Sequence, residues 1–246
     1  MKKTAIVTGA SSGIGAATAS ALGQAGFDLY LGARRSDRLA AVAQPLGAVA
    51  LTLDVTVQAS VDLFVAACPD RIDVLVNNAG GALGLDSVEE LDEDRWRTMW
   101  ETNVLGVARL TRSLLPALRR SGDGHIITVG SIAGFETYSG GGGYTAAKHA
   151  VRAITKTLRL ELLGEPIRVT EINPGLVETE FSLVRFDGDS ERAGAVYQGM
   201  TPLTGSDVAD CVAWAATRPS HVNIDEIVVR PRDQATATRV HRTAER

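Results

Sequence analysis

The sequence predicts an α/β protein: one Rossmann-type, doubly wound parallel sheet of about seven strands with helices on both faces. Three observations predict it. Short apolar runs of strand length alternate with longer stretches of helical period. Strands separated by helices form βαβ units, whose right-handed crossovers place helices on both faces. The first apolar run ends in a glycine-rich turn, Thr8-Gly9-Ala10-Ser11-Ser12-Gly13-Ile14-Gly15, that opens the first helix.

Thr4–Val7 is the first strand, and Ile14–Ala25 a helix stopped by Gly26. Asp28–Gly32 is the second strand. Ser36–Gln44 is a helix with Ser36 as N-cap and Pro45 at its end. Ala48–Leu53 and Val57–Ala67 form the next strand and helix, and Val74–Val76 the fourth strand. Asp92–Leu118 is one long amphipathic helix, followed by a strand at His125–Val129. Tyr144–Leu163 is a second long helix, ended by Gly164 and Pro166. Ile167–Ile172, Ser206–Thr217 and Ile224–Val229 complete the pattern as strand, helix and strand.

No repeat, linker or low-complexity run divides the 246 residues, so 1–246 reads as a single dinucleotide-binding and catalytic domain. Residues 174–205 are long for a loop and read as a substrate lid. Residues 233–246 are a polar, basic tail, either disordered or an arm onto a neighbouring subunit. The hydrophobic fraction of 45% and charged fraction of 22% are ordinary for a globular chain, and a net charge of -4 argues against nucleic acid or membrane partners. Cys68 and Cys211 match neither a metal site nor a disulfide framework, and His125 and His149 have no ligand-like spacing, so no metal is expected. The apolar run near the N-terminus breaks at Thr8-Gly9, too early for a signal peptide, which points to the cytoplasm.

The glycine turn is where a dinucleotide binds. Gly9, Gly13 and Gly15 permit a tight turn and close approach of backbone to a pyrophosphate, with Ser11, Ser12 and Ile14 beside it. The helix N-terminus then offers free N–H groups to the anion. The second strand runs out into Arg34 and Arg35, where a site for NAD usually carries a carboxylate. Two guanidinium groups suit a 2′-phosphate instead, so the expected cofactor is NADP(H). Asp54, with Val55 next to it, is placed for an adenine amino group; its simpler role is to cap the following turn.

Tyr144 and Lys148 are four apart and share a helix face. A tyrosine is a poor base at neutral pH, and an ammonium nearby favours the phenolate, so Tyr144 is read as the proton-transfer group. Ser131, just past the fifth strand, can donate to the same substrate oxygen. Trp96 and Trp100 share one helix face and are expected in the core or a subunit interface.

With these motifs in this order, the chain resembles the short-chain dehydrogenase/reductase family over nearly its full length. Thr8–Gly15 resembles the family's TGxxxGxG turn, and Asn77-Asn78-Ala79-Gly80 its NNAG element. The resemblance implies cofactor contacts at Asn78, Ala79 and Gly80. It also implies a catalytic tetrad of Asn103, Ser131, Tyr144 and Lys148, with the asparagine serving a proton relay. Pro174, Gly175, Val177 and Thr179 resemble the segment that holds the nicotinamide carboxamide. Within the family, Gly130-Ser131, Pro174–Val177, Phe181, Arg185-Phe186 and His221–Ile224 resemble NADP-dependent 3-hydroxy acid dehydrogenases of the serine and L-allo-threonine type. That implies small 3-hydroxy acids as substrates and a homotetramer or homodimer.

Arg185 is then a candidate clamp for a substrate carboxylate, or else an exposed lid arginine. The chain departs from the family pattern at Gly140–Gly143, where four glycines imply a loose backbone beside the substrate. The other functions compatible with these residues are a reductase of bulkier aldehydes, ketones or 3-oxoacyl substrates, and a non-catalytic NADP(H)-binding sensor.

Overall fold

A computed structural model describes residues 2–243. Among them, seven strands form one parallel sheet: β1 (Thr4–Thr8), β2 (Asp28–Ala33), β3 (Val49–Thr52), β4 (Val74–Asn77), β5 (Gly124–Val129), β6 (Ile167–Pro174) and β7 (Glu226–Val229). Their order is β3-β2-β1-β4-β5-β6-β7, and every neighbouring pair is parallel. The chain therefore reverses its direction of winding between β1 and β4, and this is where such sheets open a crevice at their carboxyl ends. The predicted doubly wound parallel sheet is the observed one.

The helices are α1 (Gly13–Gln24), α2 (Ser36–Ala43), α3 (Gln58–Ala66), α4 (Glu93–Trp100), α5 (Gly106–Ser121), α6 (Gly142–Glu161), α7 (Glu180–Arg185), α8 (Ser190–Ala195) and α9 (Gly205–Ala216). One core lies where α1 and α9 cover the sheet, with Leu22, Leu31, Val208 and Val212 fully enclosed or nearly so. The other lies under α3 and α5. There Leu110, Leu114 and Leu118 form an i, i+4, i+8 stripe with no exposed surface. Each buried leucine stabilises by roughly 1.5–3 kcal/mol relative to exposure. The central strands β4, β5 and β6 are buried along their whole length, as parallel strands covered on both faces must be.

Most predicted boundaries move by one or two residues, which is the usual fraying of element ends. Three differences have physical causes. Ser36 begins α2 rather than capping it, and Pro45 sits inside a short 3₁₀ turn, Gln44–Leu46, because α2 ends one residue sooner. The long helix predicted over Asp92–Leu118 is two helices joined by a π turn at Glu101–Leu105. Asp92 caps its start by accepting from the N–H groups of Asp94 and Arg95. At the π turn the Asn103 amide donates to the Met99 carbonyl at 2.7 Å. That carbonyl is the one an unbroken α-helix would give to the Asn103 N–H, so the side chain displaces the regular bond and the turn widens.

Residues 174–205, expected to be a lid loop, carry two short helices: α7 is capped by Thr179 and α8 by Asp189, each through its side chain. The tail is neither loose nor extended away from its own chain as far as residue 243. Gln234 is buried, the Ala237 N–H donates to Glu136, and Arg242 and Thr243 bond to the Val196 carbonyl and to Gly199. Residues 244–246 of the predicted tail lie outside the described residues. His125 is fully buried against the Thr170 hydroxyl, and burial, reinforced by Arg168 and Lys3, pushes its pKa down to about 3. It is a neutral packing residue.

Gly140–Gly143 is close-packed rather than loose. A Cβ on Gly140 would stand 2.4 Å from the Leu85 carbonyl oxygen, and one on Gly143 would stand 2.5 Å from Met99 Cε and 2.9 Å from the Trp96 ring. The missing side chains let Trp96 press α4 onto the first turn of α6. Trp100, by contrast, is 44% exposed. Gly143→Ala should therefore destabilise the protein by roughly 1–3 kcal/mol, the cost of forcing a methyl into a filled core, read as a lower urea midpoint at unchanged slope. A midpoint equal to that of the unmodified protein would show that Trp96 gives way freely.

Candidate active site

The carboxyl ends of β1 and β4 are tied together by Thr8. Its hydroxyl donates to the Val76 carbonyl and accepts from the N–H groups of Asn78 and Ala79, both at 3.0 Å. The Asn78 amide returns a bond to the Thr8 carbonyl at 2.8 Å. The turn and the Asn77–Gly80 element are thus one rigid piece, with Asn77 anchored behind it on Thr111. Gly9 has φ +64°, and a Cβ on Gly15 would lie 2.4 Å from the Gly9 carbonyl oxygen. Only glycine closes this turn. Ser12 precedes α1 without capping it through its side chain, so the first N–H groups of the helix face the crevice unpaired.

At the nucleotide end, Arg34 and Arg35 follow β2. Arg35 donates to the Ser12 hydroxyl at 2.7 Å and to the Ser11 hydroxyl at 3.1 Å. It also pairs with Glu180, the first residue of α7, at 2.9 Å, and Arg38 pairs with the same carboxylate at 2.6 Å. Arg38 and Glu180 join this cluster although nothing in their local sequence marks them; only the fold brings α7 to α2. Asp54 does cap its turn, accepting from the Thr56 N–H and hydroxyl. Partial burial opposes its ionisation, but those bonds and Arg34 hold the carboxyl below its usual range. The same residue lines the crevice.

At the other end, Ser131 leaves β5 in extended conformation and α6 carries Tyr144 and Lys148 beneath it. The Tyr144 phenol and the Ser131 hydroxyl line the same crevice, and the serine hydroxyl accepts from the Ala133 N–H. Burial, with a contribution from Tyr138, pushes the Tyr144 pKa up, while Ser131 and Arg185 oppose the rise. This differs from the expected lowering by Lys148. The ammonium stands 5.9 Å from the tyrosine ring centroid and donates instead to the Val129 carbonyl at 2.9 Å. Burial pushes Lys148 itself down to about 8. Enclosure thus favours the neutral phenol at Tyr144.

Asn103 is buried behind the crevice, not on it. Its amide donates to the Gly81 and Met99 carbonyls and its carbonyl accepts from the Gly81 N–H. Arg185 reaches in from α7. It donates to the Gly84 carbonyl at 2.9 Å and to the Tyr138 hydroxyl at 3.0 Å, and lies 5.9 Å from the Tyr144 ring centroid. Its second terminal nitrogen, Nη2, is buried without a partner. Phe181 packs edge-on against Tyr144.

The crevice between the two ends has a volume of about 890 Å³. It brings together every predicted site residue except Gly15 and Asn103, which support it from behind. Tyr138, Glu180, Phe181, Gln234 and Thr238 also line it and were not legible as site residues. Tyr138 alone had a signal, an aromatic six residues before Tyr144 in the segment joining Ser131 to the helix. No group of three or more His, Cys, Asp or Glu side chains able to hold a metal ion occurs among the described residues, and no helix there is long and apolar enough to cross a membrane.

Under the crevice, α6 presents Lys148, Arg152 and Lys156 to the sheet. Glu171 on β6 lies in register beside Glu226 on β7. Glu171 is 2% exposed and its Oε1 has no hydrogen-bond partner. Burial and the neighbouring Glu226 push it up to about 7, against the opposing effect of Arg152, Lys148 and Lys156.

A glycine-turn crevice at the switch point of a parallel sheet, with a serine, tyrosine and lysine at one end, defines a dinucleotide-binding oxidoreductase. The short chain dehydrogenase model matches residues 3–188, and the chain belongs to that family. It is 61% identical over 238 residues to an uncharacterized oxidoreductase of Mycobacterium tuberculosis, covering 97% of this chain and 94% of that one. It is 43% identical over 245 residues to an NADP-dependent 3-hydroxy acid dehydrogenase of Salmonella typhimurium, covering 97% and 99%. Among solved structures, the closed form of a serine dehydrogenase complexed with NADP+ superposes with a TM-score of 0.92 at 40% identity, covering 98% of this chain and all of that one.

Glu171 makes stability depend on pH in a defined direction. Its native pKa of about 7 lies above that of an unfolded glutamate. The native state therefore holds this proton more tightly, a stabilisation complete below about pH 4 and lost as pH rises through about 7. Replacing it by glutamine, Glu171→Gln, should make the protein gain on the unmodified chain by on the order of 2–3 kcal/mol between pH 4.5 and 8. Urea unfolding at both pH values measures this. An unchanged difference between the two proteins would show that Glu171 ionises as it would in water.

Proposed function

We propose that this NADP(H)-dependent oxidoreductase interconverts a hydroxyl and a carbonyl on small 3-hydroxy acids, with Tyr144 as general acid and base. One arrangement carries the proposal: a buried Tyr144 phenol that shares one crevice with Ser131, with the Arg185 guanidinium over the tyrosine ring and its Nη2 unused. A proton donor and a free cationic donor side by side fit a substrate whose reacting oxygen and carboxylate lie a few bonds apart. The named relatives support the same class, because serine is itself a small 3-hydroxy acid.

The residues present fit the cofactor. The side-chain-free turn at Gly9 and Gly15 leaves backbone open to a pyrophosphate, and Arg34 and Arg35 flank the nucleotide end. Pro174, Gly175, Val177 and Thr179 line the opposite stretch, beside the serine. When bound, NADP(H) supplies or accepts the hydride. The chain's own residues do the rest. In reduction, the Ser131 and Tyr144 hydroxyls hold the carbonyl oxygen, and Tyr144 delivers its proton as that oxygen becomes a hydroxyl. Lys148, held on the Val129 carbonyl, keeps positive charge near the tyrosine and stabilises the phenolate left once the proton is delivered. Asn103 holds the Gly80-Gly81 backbone in place and, on the family resemblance, serves the proton's route to solvent. Oxidation runs these steps in reverse.

Steady-state assays with NADP+ and NADPH on serine, 3-hydroxyisobutyrate and a panel of aldehydes and ketones test the substrate class. Inert acids with turnover of bulky carbonyls would overturn it. Tyr144→Phe should lower kcat by about 10²–10⁴ while NADPH binding, followed by fluorescence, stays within about twofold; near-normal turnover would remove the tyrosine from proton transfer. Arg185→Ala should raise KM for 3-hydroxy acids by about tenfold or more, the loss of a charge-assisted pair, and leave KM for uncharged carbonyls alone. An equal change for both would make Arg185 a lid-closing residue only.

A further inference from the structure

We propose that Asn173 is a positioning residue for Ser131, held in its turn by Glu226 and Arg152, so that a chain of buried polar groups sets where the serine hydroxyl stands. The proposal rests on the reading of Ser131 as a ligand of the substrate oxygen. β5 and β6 end side by side, and their last main-chain bond runs from the Gly130 N–H to the Ile172 carbonyl at 2.8 Å. Beyond it the Ser131 N–H donates to Asn173 Oδ1 at 2.8 Å. Asn173 has no exposed surface. Its Nδ2 donates to Glu226 Oε1 at 2.9 Å, and Arg152 Nη2 donates to both Glu226 oxygens, at 3.1 and 2.9 Å. The Arg152 guanidinium stacks 4.9 Å from the Phe135 ring centroid, which is only four residues past Ser131.

Three features make this chain more than packing. First, each link is used once with the polarity fixed: the amide oxygen takes the serine N–H and the amide nitrogen gives to a carboxylate. The side chain therefore cannot flip without breaking both bonds. Second, the space is reserved for it. A Cβ on Gly130 would fall 2.1 Å from Asn173 Oδ1, so the residue before the serine has no side chain. Third, the chain ends on Arg152, which lies two helical turns beyond Tyr144 and one beyond Lys148. The same network therefore fixes Ser131 on the strand side against Tyr144 on the helix side. A misplacement of the order of 1 Å at a reacting centre can cost about a hundredfold in rate.

The test is a double-mutant cycle with a designed rescue, measured at pH 6, where Glu171 beside the new group is neutral. Asn173→Ala should lower kcat by about 10- to 100-fold with KM for NADPH within about threefold. In a Ser131→Ala background the same change should lower kcat by less than about threefold, since there is no hydroxyl left to aim. A purely structural asparagine would cost the same in both backgrounds, and that result overturns the proposal. Asn173→Asp combined with Glu226→Gln reverses the middle bond: the new carboxylate accepts from Ser131 N–H, and the new amide donates to it and accepts from Arg152. Activity of this pair should exceed that of either single change by about tenfold. A pair no better than the singles overturns the chain even if Asn173→Ala proves unstable. A Ser131→Ala protein with unimpaired kcat would instead sink the serine's role, an outcome separable from the others.

Discussion

The docking of α6 on β5 and β7 through charged side chains is the constraint on which the rest of this protein depends. Tyr144, Lys148, Arg152 and Lys156 follow one another at four-residue spacing, from fully buried at the crevice to exposed at the far end. A helix that buries ammonium and guanidinium groups cannot slide or rotate without stranding them. Lys148 is spent on the Val129 carbonyl and Arg152 on Glu226. These pairs fix the height of Tyr144 above the sheet, and the close contact of Trp96 with Gly142 and Gly143 fixes the direction from which the helix enters. A purely apolar face would give comparable burial with much less definite register.

The crevice is built from two parts with different rigidity. Its floor is made of strand ends locked together by Thr8, Asn78 and Asn173. Its roof is α7, whose first residue, Glu180, grips Arg35 and Arg38 and whose last, Arg185, grips Gly84 and Tyr138. The ion pairs at Glu180 are roughly half exposed, so each is worth little by itself. The arginine contacts at the other end are part-buried and directional. The helix α7 is accordingly held most firmly at its Arg185 end.

What the sequence made legible was chiefly local. The glycine turn, the alternation of strand and helix and the four-residue spacing of Tyr144 and Lys148 all depend on neighbours along the chain. Contacts between distant segments were not legible. Nothing in Gly140–Gly143 announces a tryptophan some 45 residues earlier that fills the space of the missing side chains, so four glycines suggested looseness where the fold has tight packing. Glu180 falls in a stretch that reads as a long loop, and its pairing emerges only when α7 is seen against α2. The raised pKa of Tyr144 likewise comes from enclosure, a property of the assembled site; the four-residue spacing alone pointed the other way.

The π turn at Glu101–Leu105 has a consequence for how this chain can vary. In a helix each residue advances the azimuth by about 100°, so a widened turn acts as a phase shifter between α4 and α5. Upstream of it, Trp96 and Met99 face α6; downstream, Leu110, Leu114 and Leu118 face the sheet. Losing one residue from the turn would leave one side correct and rotate the other by more than a quarter of a circle. The segment is therefore intolerant of length change as well as of losing Asn103, and a single-residue deletion there would be felt simultaneously by the enclosed asparagine and by a leucine stripe up to four turns away.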